Sequence, residues 1–250
     1  MLRWLLAPKL LLAHVVVLTA VVVLVNLGFW QLRRLDEARS FNERLEQRQA
    51  APVLSASELA GADPDDLAFR RAQVTGTYVT EHELLHLARG YRGRSGNHVL
   101  TPLVTSDGLV ILVDRGWVPA ALDTPPVTEA APPTGPVTVT GQLLESQPYT
   151  GVGARDRAEG ELARVLRVNL PRIEAQLPPE LTPLYPLYLQ QRNQEPAVAD
   201  ELPLAAEVPE LDDGPHLSYA VQWFLFAATA LAVYAAFLRK RLRERSPSAA

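Results

Sequence analysis

Two apolar stretches decide the fold of this chain, LLLAHVVVLTAVVVLVNLGFW (residues 10–30) and LSYAVQWFLFAATALAVYAAFL (residues 217–238). The first contains His14 as its only ionisable side chain, and the second carries no charge. An α-helix rises about 1.5 Å per residue and the bilayer core is about 30 Å thick, so about 20 residues cross it. Each stretch is therefore predicted to be a transmembrane helix, one at either end of the chain.

The alternative for the first stretch is a cleaved signal peptide, because Arg3 and Lys9 precede it as a positive n-region would. However, its apolar run is longer than the ~7–15 residues of a signal h-region. It is followed by LGFWQ (residues 27–31) rather than by small residues around a cleavage site. We therefore expect the segment to be retained in the membrane.

The distribution of charge predicts the orientation of the spans. The chain has 24 basic and 28 acidic residues, of which seven basic and one acidic lie in the flanks at 1–9 and 239–250. Hence 17 basic and 27 acidic residues remain between the flanks. The positive-inside rule then places both termini in the cytoplasm. An acidic outer region without a basic stripe predicts no nucleic-acid partner.

The numbers of lysine, cysteine and methionine residues also indicate what class of protein this is. The chain has 24 basic residues but only two lysines, at positions 9 and 240, a bias towards arginine that is typical of GC-rich bacterial genomes. We therefore expect a multi-pass protein of a bacterial cell membrane. It has no cysteine and its only methionine is Met1, so no disulfide is expected and the soft ligands needed for copper delivery are missing.

The region between the spans is predicted to have two parts. Residues 31–50 continue the first span as an amphipathic stalk helix, because their apolar positions recur at helical spacing. Residues 51–215 form an extracytoplasmic β-rich domain with Pro-rich loops. Strands are predicted for short β-branched segments at residues 69–78, 99–104, 109–113, 137–144 and 162–168.

Turn and loop signals complete this domain. TSDG (residues 105–108) predicts a hairpin turn and residues 171–174 predict a short helix, whereas the proline-rich residues 119–136 and 177–215 predict surface loops. The fold class is thus membrane α+β, with two transmembrane helices flanking a mainly antiparallel β-rich extracytoplasmic domain of five to seven strands.

Recognisable catalytic signatures are missing from the sequence, including G-x-S-x-G, H-E-x-x-H, Walker and dinucleotide motifs. We therefore expect no enzymatic activity. The glycines of RGYRGRSG (residues 89–96) predict a solvated arginine-rich loop rather than an anion site. His82 and His86 predict an exposed loop rather than a metal site, because no cysteine completes a ligand set.

His216 lies one residue before the second apolar stretch and is therefore expected at the outer membrane interface. A neutral imidazole there is a candidate axial ligand for haem iron; the alternative is an interfacial anchor, and position alone does not separate the two. Arg33 and Arg34, just outside the first span, suit the carboxylates of haem propionates. His14 lies inside the cytoplasmic end of the first span, too far from His216 to be the second axial ligand. The identity of that second ligand stays open.

Short motifs run in order along the chain. They are L-G-x-W-Q-x-x-R (27–34), F-R (69–70), V-x-G-x-Y (74–78), LTPL (100–103), LVDRGWVP (112–119) and HLSYAVQWF (216–224). As an ordered set they resemble the Surfeit locus protein 1 (Shy-type) family of cytochrome c oxidase assembly factors. The family often has asparagines just ahead of the histidine, where this chain has Gly214-Pro215.

This resemblance implies a role in inserting haem a into subunit I of haem–copper cytochrome c oxidase, with transient haem a binding by His216. It implies cytochrome c oxidase subunit I and the haem a synthesis machinery as partners. The alternative is a permanent non-catalytic accessory subunit of a respiratory complex, without haem.

Several motif residues are expected to contact partners or to support the structure. Gln31 and Gln222 are candidate interhelical hydrogen-bonding residues, and Trp30 and Trp223 are candidate interfacial residues. Arg115 is expected at a strand end where the chain turns tightly and where Trp117 covers the core.

Overall fold

The computed structural model describes residues 7–197, 202–207 and 211–245, which fall into two compact units. The helical unit lies within residues 1–44 and 210–250. The sheet unit lies within residues 45–209.

Two long helices, α1 (Pro8–Ala50) and α5 (His216–Arg245), carry the two apolar stretches. Both are long and apolar enough to cross a membrane, and their apolar segments are 0% and 6% buried within the protein. Exposed surface of this kind is unfavourable in water, which fits a membrane protein. The helix predicted to continue to about Gln49 ends at Ala50, ahead of Pro52, which disfavours helical backbone before it.

The described part of the sheet unit contains eight strands and three short helices. Their bounds are β1 Leu54–Ser55, α2 Ala56–Gly61, α3 Pro64–Leu67, β2 Arg71–Tyr78, β3 Leu84–Tyr91, β4 Arg94–Thr105, β5 Val110–Pro119, β6 Val137–Glu145, β7 Arg164–Val165, α4 Leu170–Glu174 and β8 Leu187–Glu195. Single 3₁₀ turns occupy Thr80–His82, Thr128–Ala130 and Pro179–Leu181.

The strands form one sheet in the order β1-β2-β6-β8-β5-β4-β3-β7. A further pairing joins β2 to the end of β4, so that β2, β6, β8, β5 and β4 form a closed circuit of hydrogen-bonded neighbours. Closure removes the free edges that these five strands would otherwise expose.

The pattern of buried residues along each strand is consistent with this closed circuit. β2 alternates strictly between exposed and buried residues, as a strand with one face on the core does. β5 is buried at nine of its ten positions. Its residues Ile111 and Val113 join one apolar cluster, while Val110 and Leu112 join another on the opposite face.

The sheet is mixed, which corrects the prediction of a mainly antiparallel one. β1 pairs with β2, β3 with β7 and β5 with β8 in parallel. The pairs β2–β4, β2–β6, β3–β4, β4–β5 and β6–β8 are antiparallel. Parallel pairing needs a long crossover between strands. β5 and β8 are separated by almost 70 residues of chain, and local patterns cannot show how such segments pair.

Two strands lie where loops were predicted. β3 contains His86, which is buried rather than part of an exposed loop. β8 lies inside the proline-rich stretch 177–215, and its polar second half hides any alternation of apolar residues. Conversely, the strand predicted at 162–168 is reduced to the two residues of β7.

Some of the predicted turns and loops are confirmed and others are not. The TSDG hairpin is confirmed, with Gly108 at a φ of +82° and its N–H donated to the Thr105 carbonyl. The short helix predicted at residues 171–174 is α4.

The glycines at 90–96 belong to the tight β3–β4 hairpin and not to an open loop. The stretch 119–136 buries Val127 and Ala130 in the core.

Candidate functional site

The segment before α5 determines where His216 stands. Asp212 Oδ1 accepts a hydrogen bond from the Gly214 N–H at 3.0 Å, and Gly214 has a φ of +72°. Glycine adopts this backbone conformation without the strain that a Cβ would bring. The helix then begins at His216, after Pro215, whose carbonyl accepts hydrogen bonds from residues of the first turn.

The His216 imidazole is hydrogen-bonded to Gln31 of α1. Its Nδ1 lies 2.9 Å from Gln31 Oε1, and Gln31 is buried at 9% exposure. An amide oxygen can only accept, so Nδ1 carries the proton and donates it. The neutral ring then keeps an unprotonated Nε2 with a lone pair available to a ligand.

The backbone beside Nε2 is a glycine. A Cβ built on Gly214 would lie 3.3 Å from both Nε2 and Cδ2 of His216. Any other residue would therefore crowd this edge of the ring. Glycine at position 214 avoids this crowding at Nε2, and an imidazole protonated at Nδ1 has the chemistry of an iron ligand.

Asp213 connects the same segment to α1. Its carboxylate accepts from Arg39 Nε at 2.9 Å and from Asn42 Nδ2 at 3.4 Å. Sequence reasoning missed these three residues. The sequence contains only a weak signal for this contact. It consists of an acidic pair ahead of the second span and two hydrogen-bond donors three residues apart on the stalk helix.

The two helices approach closely one turn before Gln31. A Cβ added to Gly28 would lie 2.6 Å from the Phe224 ring, and Phe29 packs edge-on against the same ring at 5.4 Å between centroids. A small residue at such a crossing lets two membrane helices pack tightly. This close packing keeps the two helices near enough for the Gln31 and His216 side chains to form their hydrogen bond.

Arg33 and Arg34 are both exposed on α1. Arg34 Nη1 forms an ion pair with Glu37 at 2.7 Å. Arg33 makes no hydrogen bond or ion pair with any residue that the structure describes. Of the two arginines, Arg33 is therefore the one whose charge is not paired with any carboxylate of the described residues.

The remaining helix residues named from the motifs lie apart from the His216–Gln31 pair. Trp30 is 47% exposed, and Gln222 is exposed without a hydrogen bond to any described residue. Trp223 packs edge-on against Phe226, and its buried Nε1 has no partner among the described residues.

Arg115 lies within β5 and not at a strand end, which corrects the expectation. The register of β4 and β5 shifts between Val99, opposite Gly116, and Leu100, opposite Asp114. Arg115 is therefore the extra residue of a β-bulge, which redirects its side chain.

The Arg115 side chain is buried in a polar network. It is 1% exposed, and its Nη1 lies 3.1 Å from Glu83 Oε2, while Nη2 donates to the Ala130 carbonyl. Glu83 also accepts from the Val127 N–H at 2.7 Å and from Thr101 Oγ1 at 3.1 Å. Burial raises the pKa of the Glu83 carboxyl, and these hydrogen bonds and the Arg115 charge oppose that effect.

Trp117 is buried at 1% exposure, as expected for a residue that covers the core. Its Nε1 donates to the Arg89 carbonyl at 3.0 Å, and its ring stacks on Tyr91 at 5.4 Å. A Cβ on Gly96 would collide with the same indole. These contacts give Trp117 a structural role in the β3–β4–β5 region.

Two histidines of the sheet unit, His86 and His98, lie close together on neighbouring strands. His86 lies 6.4 Å from His98 between ring centroids, and His98 Nδ1 is paired with Asp114 at 2.9 Å. Within the described ranges, no group of three or more His, Asp or Glu side chains is arranged to hold a metal ion.

Comparison with known proteins agrees with the motif order. The model of the SURF1 family matches residues 18–228. A SURF1-like protein of Mycobacterium bovis is 30% identical over 257 residues, covering 99% of this chain and 91% of that protein. SURF1-like proteins of Rickettsia bellii and Monosiga brevicollis are 25% and 28% identical, over 89% and 92% of this chain and over 89% and 88% of their own lengths.

The match covers most of α1, the whole sheet and the first part of α5, and it contains His216, Gln31 and Arg115. The chain therefore belongs to the SURF1 family.

Proposed function

We propose that this protein is a two-span assembly factor for haem–copper cytochrome c oxidase in a bacterial cell membrane, with both termini in the cytoplasm. It assists the insertion of haem a into oxidase subunit I and catalyses no reaction of its own. The proposal is supported by family membership, since SURF1 proteins are known generally as cytochrome oxidase assembly factors. Subunit I and the haem a synthesis machinery are its proposed partners.

The hydrogen bond between His216 and Gln31 carries the haem-binding part of the proposal. When bound, haem a would supply an iron centre that accepts a lone pair from a nitrogen ligand. Because Nδ1 of His216 donates to Gln31, Nε2 is the ring nitrogen that would offer a lone pair to such a bond. Gln31 holds the proton on Nδ1, as the outer partners of metal-binding histidines do.

The two arginines that follow Gln31 on α1 are the second observation in support of this role. Arg33 is exposed and unpaired within the described structure, so its guanidinium can pair with a propionate carboxylate. Arg34 contributes less, because Glu37 already neutralises it. Asp213, held by Arg39, fixes the segment that leads into His216.

The test is titration of the full-length protein in detergent with haem a, followed by absorption spectroscopy. His216→Ala is expected to weaken binding at least about tenfold, because a direct ligand is lost. His82→Ala, which removes a half-buried histidine of the sheet unit, is the matched control and should bind as the wild type does.

Assembly in cells provides the complementary measurement. In a strain lacking the gene, the wild-type chain should restore the haem a content of the oxidase and His216→Ala should not. If the purified protein binds no haem a and instead stays stoichiometric in mature oxidase, the accessory-subunit alternative replaces the proposal.

A further inference from the structure

A small cavity in the sheet unit is lined by an unusual number of arginines. It has a volume of about 170 Å³, and Arg155, Arg157, Arg167 and Arg172 line it together with Tyr149 and Asp156. It lies in the long connection between β6 and α4. This concentration of positive charge stands out, because the region between the spans is acidic as a whole.

Two of these arginines are half-buried and held by backbone carbonyls. Arg167 donates from Nη1 to Ala154 at 2.7 Å and from Nη2 to Val152 at 3.1 Å. Arg172 donates from Nε to the Arg157 carbonyl at 2.8 Å and from Nη2 to Gly160. Carbonyls orient a guanidinium but do not neutralise it, so both side chains keep their charge in fixed positions.

An aromatic ring connects two of the four arginines. The guanidinium carbons of Arg155 and Arg167 each lie 5.3 Å from the centre of the Tyr149 ring. Such contacts stabilise a cation without removing its charge. The ring therefore holds two positive groups near each other at the cavity wall.

The cavity lining has an excess of positive charge that the carboxylates of the described residues do not pair with. Four arginines and Asp156 as the one acidic residue give its lining a formal charge of +3. Asp156 Oδ1 is already engaged by the Leu166 N–H at 2.9 Å. Across the described residues, none of the four arginines forms an ion pair with a carboxylate.

We propose that this arginine pocket binds a small oxyanion that carries two or more negative charges, such as a phosphate or dicarboxylate group. Such a ligand relieves the repulsion between fixed guanidinium groups and forms charge-assisted hydrogen bonds with their free N–H groups. The volume suits a compact anion rather than a haem-sized ligand. This site is independent of His216 and of the proposed haem role.

The test is calorimetric titration of the full-length protein in detergent with inorganic phosphate, pyrophosphate and malonate, at constant ionic strength. Arg155→Gln combined with Arg157→Gln should weaken binding by about tenfold or more, since two charged hydrogen-bond donors are lost from the cavity. Neither side chain holds a backbone carbonyl in the described structure, so the fold should persist, which the melting temperature checks.

The matched control is Arg164→Gln. Arg164 lies in the same connection, but it is paired with Asp123 at 3.4 Å and does not line the cavity. Its neutralisation should leave anion affinity unchanged. Equal weakening by this control, or no saturable binding of any of the three anions up to about 10 mM, would overturn the proposal. Preference for phosphate over malonate, or the reverse, identifies the chemistry of the ligand.

Discussion

At the scale of single residues, the state of His216 depends on one neighbour. A free histidine exchanges its proton between Nδ1 and Nε2, and only the Nδ1-protonated form offers Nε2 to a metal. Gln31 selects that form because its carbonyl oxygen, 2.9 Å away, can only accept. The buried position of Gln31 limits competition from water for this hydrogen bond.

Replacing Gln31 by leucine should therefore change haem binding without removing the ligand. We expect haem a affinity to fall by about tenfold to a hundredfold, the usual cost of losing an outer-sphere partner. We also expect a more positive midpoint potential for the bound haem, because an imidazole without this acceptor is less basic. Titration and redox potentiometry of the full-length protein measure both effects.

Gln222→Leu is the matched control for this change. Gln222 is a glutamine on the partner helix that is exposed and makes no hydrogen bond to the described residues. Its replacement should leave the affinity and the potential unaltered. An unchanged potential in Gln31→Leu would show that the amide does not act on the ligand.

At the scale of secondary structure elements, β3 illustrates how pairing changes the chemistry of a side chain. β4 and β7 flank β3 on its two sides, and His86 is consequently 3% exposed. Burial, assisted by the nearby charge of Arg89, lowers the pKa of His86 to about 4. Its Nε2 has no hydrogen-bond partner in the described structure, so the folded protein favours the neutral ring.

This lowered pKa predicts a pH-dependent stability. Between pH 6.5 and about 4, the unfolded chain binds a proton at residue 86 and the folded protein does not, so stability falls as the pH falls. The loss approaches about 3 kcal/mol at pH 4, at ~1.4 kcal/mol per pKa unit. His86→Leu should remove it, so the variant should gain stability relative to the wild type across this range.

Urea unfolding of the full-length protein in detergent, followed by tryptophan fluorescence at several pH values, measures this difference. His82→Leu controls for the loss of a histidine from the unfolded chain, because His82 lies in a half-exposed 3₁₀ turn just before β3. A difference between His86→Leu and wild type that stays constant from pH 7 to pH 4 would contradict the argument.

At the scale of the whole molecule, the distribution of charge determines the proposed orientation. The 12 residues at 239–250 contain five basic side chains and one acidic one, whereas the region between the flanks has ten more acidic than basic residues. Moving a basic tail across the membrane is unfavourable, and a long acidic region translocates largely irrespective of its charge. The sheet unit is therefore expected outside the cytoplasm.

Single-cysteine labelling checks this orientation, since the chain has no cysteine of its own. Val152 is 79% exposed in the sheet unit, and Val152→Cys should react with a membrane-impermeant maleimide in spheroplasts. Arg243→Cys, in the exposed tail, should react only after the membrane is permeabilised. The reverse pattern would invert the topology and remove the argument for haem binding at the outer face.

Local patterns in the sequence were sufficient for features that depend on neighbours along the chain. The two long helices follow from uninterrupted apolar runs, β2 from a short segment rich in β-branched residues at 69–78, and the β4–β5 turn from TSDG. The order of short motifs was sufficient for the family. The same local patterns did not predict β8. Its second half is polar, and its residues form a strand because they pair with β6.

The sequence by itself therefore determined the two apolar helices, the charge asymmetry and the family, since each is a property of composition or of short ordered segments. Only the tertiary structure decided which side chains meet. His216 and Gln31 are 185 positions apart, and Arg115 meets Glu83 across 32 positions through a β-bulge. Contacts of this kind depend on how helices and strands pack, and packing is a long-range property that local periodicity does not encode.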